Sequence, residues 1–294
     1  MNAVKILTDS CADIGREIRD AHGIDYVHMY TEFDGTETPA SLDWEYYTPQ
    51  DFYNTMRNGG RILTSQVPVE EFRRVFKKYL EQGYDIVYIG CSLKQSGSVN
   101  TGAVVARELM REYPGTEIYC IDSLNASMGE GLFALRAAAY RDNGLTASQI
   151  SERITSERNL VNEYCTVHSL DALKRSGRVK ASSAFLGNLL GVKPIIIADA
   201  EGYQTPIKKV RGRQTSMQEI ITLLKESITR PENQTIFIAH GDCILEAKQL
   251  EELVRRRISC RDVYCDFIGP IIGASVGPDA LGVFAFGQEV TFRG

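Results

Sequence analysis

Through residue 142 the chain alternates short apolar runs with segments that repeat apolar residues every three to four positions. Val4 to Leu7, Asp85 to Gly90 and Thr116 to Asp122 read as buried strands. Residues 69–82 read as a helix with Phe72, Val75, Phe76, Tyr79 and Leu80 on one face, and 98–113 as another with Val104, Val105 and Leu109. Residues 50–57 are helical in pattern, as is the Ala-rich segment 127–141, closed by Asn143-Gly144. This alternation predicts a parallel sheet with helices on both faces.

Each predicted strand ends in short polar residues: Thr8-Asp9-Ser10, Ser92 to Ser98, and Asp122-Ser123. In open α/β sheets ligands bind beyond the carboxyl ends of the strands. The three clusters therefore mark one edge as the place to look for a site.

The second half has a different rhythm. Thr146-x-x-Gln149 has the spacing of a capping box and starts a bridging helix. Strands are expected at 163–168, 193–198, 203–210, 234–239 and 261–267, with a closing strand near 282–290. Helices are expected at 170–176, 183–190, 214–229 and 243–257. The 193–210 pair, turning at Glu201-Gly202, is a hairpin, so this sheet is mixed or antiparallel. A chain of 294 residues suits two domains, and a boundary near residue 160 gives α/β units at 1–160 and 161–294.

Apolar residues at 43% supply ample core. A net charge of −5 and a pI near 5.5 argue against nucleic-acid binding, which relies on clustered cations. Two short basic groups, Arg255 to Arg257 and Lys208 to Arg213, read first as solvated faces. A docking patch for a phosphate, an acidic partner or a membrane surface is the alternative. The N-terminus turns polar too soon for a signal peptide, and no apolar run approaches the ~18 residues of a membrane span, so a cytoplasmic protein is expected. The seven cysteines, Cys11, Cys91, Cys120, Cys165, Cys243, Cys260 and Cys265, lack Cys-x-x-Cys spacing and read as reduced thiols without a metal.

Four segments could carry chemistry. Thr64-Ser65-Gln66 stands in a loop before a helix, as a cap or as hydroxyl donors for an anion. Ser92 to Ser98 offers hydroxyls and backbone N–H groups at a helix start, and Gly97 permits close approach. It lacks the Lys-Ser/Thr pair of a phosphate-binding loop, and no Gly-x-Ser-x-Gly nucleophile motif occurs. Leu173 to Val179 is a basic helix end with a Gly cap. Gly269 to Pro278, with two Gly-Pro steps, reads as a rigid loop. Among His22, His28, His168 and His240, only His240 ends a strand beside an Asp, Asp242, and a structural histidine is the simpler reading.

Taken in order, these segments resemble the DegV family, the fatty-acid-binding subunits of bacterial fatty acid kinase. The markers are Thr8-Asp9-Ser10-x-x-Asp13, Thr64-Ser65-Gln66, Ser96-Gly97 in its loop, Asp122-Ser123, Leu173 to Arg178, Lys193-Pro194-Ile195 and Gly269 to Pro278. Each is weak alone; their order along nearly the whole chain is specific. The resemblance implies two α/β domains with a long-chain fatty acid buried between them and no further cofactor. It implies a carboxylate held by Thr64 and Ser96, with Ser65 beside them and Gly97 adding an N–H. It assigns Arg178 to presenting the head group or docking the kinase catalytic subunit, which would supply the nucleotide and magnesium. Many members carry a His where this chain has Ser275, and a Gly where it has Asp279. Ser275 still offers a hydrogen bond. Phe185, Leu186, Leu189, Leu190, Ile195 and Ile196 are candidates for the tail tunnel, though each also reads as ordinary core. The rival expectations are a stand-alone hydrolase or transferase using a loop serine, Asp9 and His240, and a lipid-responsive interaction protein.

Overall fold

The computed structural model describes residues 2–33, 35–169, 171–180 and 191–294. The first part of the chain runs β1 (Ala3–Asp9), α1 (Arg16–Ala21), β2 (Ile24–Val27), β3 (Tyr30–Phe33), β4 (Thr36–Pro39), α2 (Pro49–Arg57) and β5 (Leu63–Ser65). It continues with α3 (Val69–Leu80), β6 (Tyr84–Gly90), α4 (Ser98–Glu112), β7 (Ile118–Asp122), α5 (Met128–Asp142) and α6 (Ala147–Glu157). Strands β2-β1-β6-β7 form a sheet in that order, every neighbouring pair parallel. Their apolar side chains are covered on both faces, which is why the strands read as continuous hydrophobic runs. Phe72, Val75, Phe76, Tyr79 and Leu80 of α3 are all buried, as the spacing predicts. The capping box also forms: Gln149 N–H donates to Thr146 Oγ1 at 3.3 Å and Thr146 N–H to Gln149 Oε1 at 3.0 Å.

The second part runs β8 (Val161–Thr166), α7 (Asp171–Ser176), β9 (Val192–Ala198), β10 (Gln204–Arg211), α8 (Arg213–Ser227) and β11 (Thr235–His240). It ends with α9 (Ile244–Arg257), β12 (Asp262–Phe267), α10 (Pro270–Val276) and β13 (Leu281–Phe286). The sheet order is β10-β9-β8-β13-β11-β12, antiparallel except for the β11–β12 pair. It is therefore mixed, with the expected hairpin at one edge.

Four expectations need correction or restriction. First, a third sheet, β4-β3-β5, is antiparallel and was not expected; it carries Thr64 and Ser65 on a strand rather than in a loop. Neither residue caps α3, whose N-cap is Pro68. Second, the Gly269 to Pro278 stretch is the helix α10 rather than a turn, with Gly269 as N-cap, Pro270 at its first position and Gly277 at φ +81° closing it. Pro at the start and Gly just past the end is the ordinary punctuation of a short helix. Third, the closing strand, expected near 282–290, is β13 and ends at Phe286; it lies in the middle of its sheet, between β8 and β11, because Leu281 to Ala285 are apolar enough to be buried on both faces. Fourth, the 183–190 helix, with Phe185, Leu186, Leu189 and Leu190, falls outside the described residues.

The two large sheets share a core. Helix α5 is buried along most of its length and packs on strands of both. Phe133 on α5 meets Phe286 of β13 edge-on, with ring centroids 5.5 Å apart. Small Ala side chains let α5 approach both sheets closely, which explains the Ala-rich sequence.

Candidate binding site

The six residues singled out above converge. Thr64, Ser65, Ser96, Gly97, Arg178 and Ser275 all line one cavity of about 230 Å³. They arrive from four places: the strand β5, the start of α4, the segment after α7, and α10. Cys11, Met29 and Ile271 complete the apolar part of the wall. The 15-residue α4 opens toward this chamber through Gly97, its N-cap, so its dipole favours an anion there.

The chamber is shaped by a second set of hydrogen bonds that the sequence alone did not reveal. Val67 N–H donates to Ser98 Oγ at 3.2 Å, tying the end of β5 to α4. Ser98 N–H donates to Ser96 Oγ at 3.2 Å, and the two hydroxyls lie 2.9 Å apart. Gln66, quoted only as part of its motif, folds over Gly97 and donates to Thr101 Oγ1 at 3.1 Å. A Cβ at Gly97 would run into Gln66 Oε1, so glycine is what allows that side chain to lie there.

Most of the polar strand-end residues prove to be scaffold. Thr8 donates to Glu130 Oε1 at 2.6 Å, and Ser10 Oγ accepts from Met29 N–H at 3.0 Å. Asp9 accepts from Tyr88 Oη at 2.6 Å and from the N–H groups of Cys11 and Cys91 at 2.9 and 3.2 Å. Ser92 donates to Gly202 C=O at 2.8 Å, bridging to the second half of the chain. Asp122 Oδ1 accepts from Leu93 and Leu124 N–H. Asp13 reaches furthest: its carboxyl oxygens accept from Ser127 Oγ at 2.6 Å and Gly269 N–H at 2.9 Å. With Tyr53 Oη donating to Ile268 C=O at 2.7 Å, this pins the start of α10 and so sets Ser275. Burial pushes the Asp13 carboxyl up to about 8.

A second chamber adjoins the first through Gln95, Arg178, Ile272 and Ser275, which line both. Its walls are mainly apolar, with Val167, Leu173, Ile196, Leu281 and Phe284 from the mixed sheet and α7. The free space is about 40 Å³ because these walls nearly touch. Ile196 thus faces the chamber, whereas Ile195, its neighbour on β9, points into the opposite core with Met217 and Leu224. A third cavity of about 230 Å³ lies against the outer side of Thr64 and Ser275 and is lined by Arg61, Arg175 and Arg178.

A family model described as "Uncharacterised protein, DegV family" matches residues 3–288. The chain belongs to the DegV family. A DegV domain-containing protein of Clostridium perfringens is 35% identical over 288 residues, 98% of this chain and 99% of that protein. Two solved DegV structures are similar throughout. The lipid-binding protein of Thermotoga maritima is 27% identical with a TM-score of 0.84, covering 99% of this chain and 100% of the other. The Thermus thermophilus member, described by its fatty acid binding, is 26% identical with a TM-score of 0.85, covering 98% and 100%.

Against the DegV family pattern, the structure accounts for one departure. Asp279 adopts φ +62°, a conformation that favours glycine. Its carboxylate accepts from Arg57 at 2.8 Å, and Asp242 accepts from the same guanidinium at 2.6 Å. The ion pairs stabilise a backbone conformation that glycine adopts freely.

The groups named for the enzyme rival are engaged separately. Asp9 is held as above, and the buried His240 ring packs on Phe267 at 4.4 Å between centroids, while Asp242, its neighbour in sequence, pairs with Arg57. Burial lowers the His240 pKa and favours the neutral ring. The described residues include one close set of metal-capable groups: Cys11, Cys91 and Glu130 bring ligand atoms within 4.8 Å of one another. Burial raises the pKa of Cys11 and Glu130, and that of Cys91, lowered by its hydrogen bond with Cys11, is on balance raised by burial. Among the described residues no helix is long and apolar enough to cross a membrane.

Proposed function

We propose that this chain binds one long-chain fatty acid and presents its carboxyl group to a fatty acid kinase catalytic subunit for phosphorylation. In this reading Thr64, Ser65, Ser96, Gly97 and Ser275 hold the carboxylate, and the acyl chain lies in the adjoining apolar chamber. What carries the reading is the continuity of a polar chamber at a helix N-terminus with an apolar one. That polarity is the polarity of a fatty acid. Two family members of similar sequence, from Thermotoga and Thermus, are described as binding lipid or fatty acid.

Roughly 14 methylenes at ~0.8 kcal/mol each offer a gross gain of about 11 kcal/mol, enough to part the nearly closed walls and still bind tightly. The carboxylate needs donors because an unpaired buried charge is expensive. Arg178 is exposed and lines all three cavities, so it suits docking or steadying the head group. The basic cavity beside Thr64 suits the phosphoryl group that the kinase would add. Units 1–160 and 161–294 would act as the two jaws around the ligand. The setting would be the cytoplasm, with transient contact at a membrane surface during ligand exchange.

Solvent extraction of the denatured protein, read by mass spectrometry, should release about one fatty acid per chain. No lipid, even after refolding with added fatty acids, refutes the binding step. The loaded chain with kinase subunit, ATP and magnesium should yield acyl phosphate. Turnover of acyl esters or acyl phosphates by the chain alone would favour the enzyme reading instead.

A further inference from the structure

Away from its junction with the polar chamber at Gln95, Arg178 and Ser275, and from Ser127, which donates to Asp13, the apolar chamber carries a polar cluster on the mixed sheet. Glu163, on β8 and only 5% exposed, lines it together with Cys165 and Gln204. Cys165 Sγ donates to Glu163 Oε1 at 3.2 Å, and Gln204 Nε2 donates to Oε2 at 3.2 Å. Burial dominates its titration and lifts its pKa to about 7, against the two hydrogen bonds that lower it. Val167, Leu173 and Leu281 line the same chamber, as does Phe284, the cross-strand partner of Glu163 on β13.

A plain alkyl chain is a poor neighbour for such a group. A carboxyl offers about four acceptor positions, and here the described residues supply two donors, one of them a weak thiol. Methylenes drawn past Glu163 would strip it of water and return no hydrogen bond, which is costly in a low-dielectric chamber. A hydroxyl on the chain donates to the carboxylate, or accepts from the protonated carboxyl, and can also meet the Gln204 amide. Leucine or valine would suit an unsubstituted tail better at this position.

We propose that Glu163 and Gln204 form a recognition point for a hydroxyl group on the acyl chain, making hydroxylated long-chain fatty acids the preferred ligand class. This deepens the fatty-acid reading above and rests on it.

The test is calorimetric titration of delipidated protein with octadecanoic acid and a positional series of its monohydroxy derivatives. At one position the hydroxy acid should bind about five- to tenfold tighter than the plain acid, the size of one net hydrogen bond. Glu163→Leu should reverse that ratio by tightening the plain acid, while Glu163→Gln, which keeps a donor and an acceptor, should retain the preference. Plain acid binding as tightly as every hydroxy acid would overturn the inference and leave the carrier reading standing. No binding by either series would overturn both. Should Glu163→Leu not fold, the wild-type ratios decide alone: a preference supports the inference and its absence overturns it.

Discussion

The polar and apolar chambers share four residues, yet they are built in opposite ways. The polar one is assembled from segment ends: a short strand, a helix start, the stretch after α7 and one helix pinned by Asp13. Its shape comes from hydrogen bonds among groups that never face the cavity, such as Val67 to Ser98 and Tyr53 to Ile268. The apolar one is largely the inner face of a sheet, and its shape comes from side-chain volume. Positioning donors takes fixed backbone, whereas accommodating a tail takes walls that can repack. The first chamber accordingly has about 230 Å³ of room and the second about 40 Å³.

The largest expected effect comes from breaking the junction. Ile272 is half-buried and lines both chambers, so Ile272→Asp sets a carboxylate where the ligand crosses. Fatty-acid affinity should fall about 100-fold or more, roughly 3 kcal/mol, in a fluorescent-lipid displacement assay. A loss below about tenfold would mean that the ligand does not span the two chambers.

A smaller effect sharpens the contrast. Thr64→Ala with Ser96→Ala removes two hydroxyls from the polar chamber alone. Affinity for a fatty acid should drop by about tenfold to 100-fold, the range for hydrogen bonds to a charged group. Affinity for the matching methyl ester should change much less. Equal losses for acid and ester would remove these hydroxyls from carboxylate recognition.

The smallest effect concerns stability and pH. Glu163 titrates near 7 in the folded chain, above the ordinary 4.5. The folded form therefore keeps a proton that the unfolded form releases. That contribution is fully present below about pH 4.5 and fades as pH rises through about 7. The denaturation midpoint of the wild type should decline more between pH 5 and 7.5 than that of Glu163→Gln. Parallel curves would show that the apolar chamber does not hold an unusual carboxyl.

Much of this arrangement is legible in the amino-acid order. Strand and helix periods, the capping box at Thr146, and the 193–210 hairpin depend on neighbours in sequence, and within the described residues they form. Thr64, Ser65, Ser96, Gly97, Arg178 and Ser275 share one cavity, whereas Thr8, Asp9, Ser10, Ser92 and Asp122 hold the scaffold, so the motifs in series point to the site and residue type at a strand end does not. The strands β3, β4 and β5 escape the periodicity reading because they are three or four residues long; β3 and β4 pair locally, with Phe33 opposite Thr36, and β5 joins them from distant sequence, with Ser65 opposite Tyr30.

The amino-acid order by itself determined the α/β rhythm, the change from parallel to mixed pairing, and the family, because these rest on local periodicity and on motifs in series. Tertiary structure alone decided that β13 lies at the centre of its sheet and that α5 serves two cores. It alone decided that Asp9 and Ser92 are scaffold while Ser96 faces a cavity. It also brought Glu163 and Gln204, 41 positions apart, together in an apolar chamber. The physical reason is that a side chain's chemistry is set by what surrounds it, and in a folded chain most of those surroundings come from distant sequence.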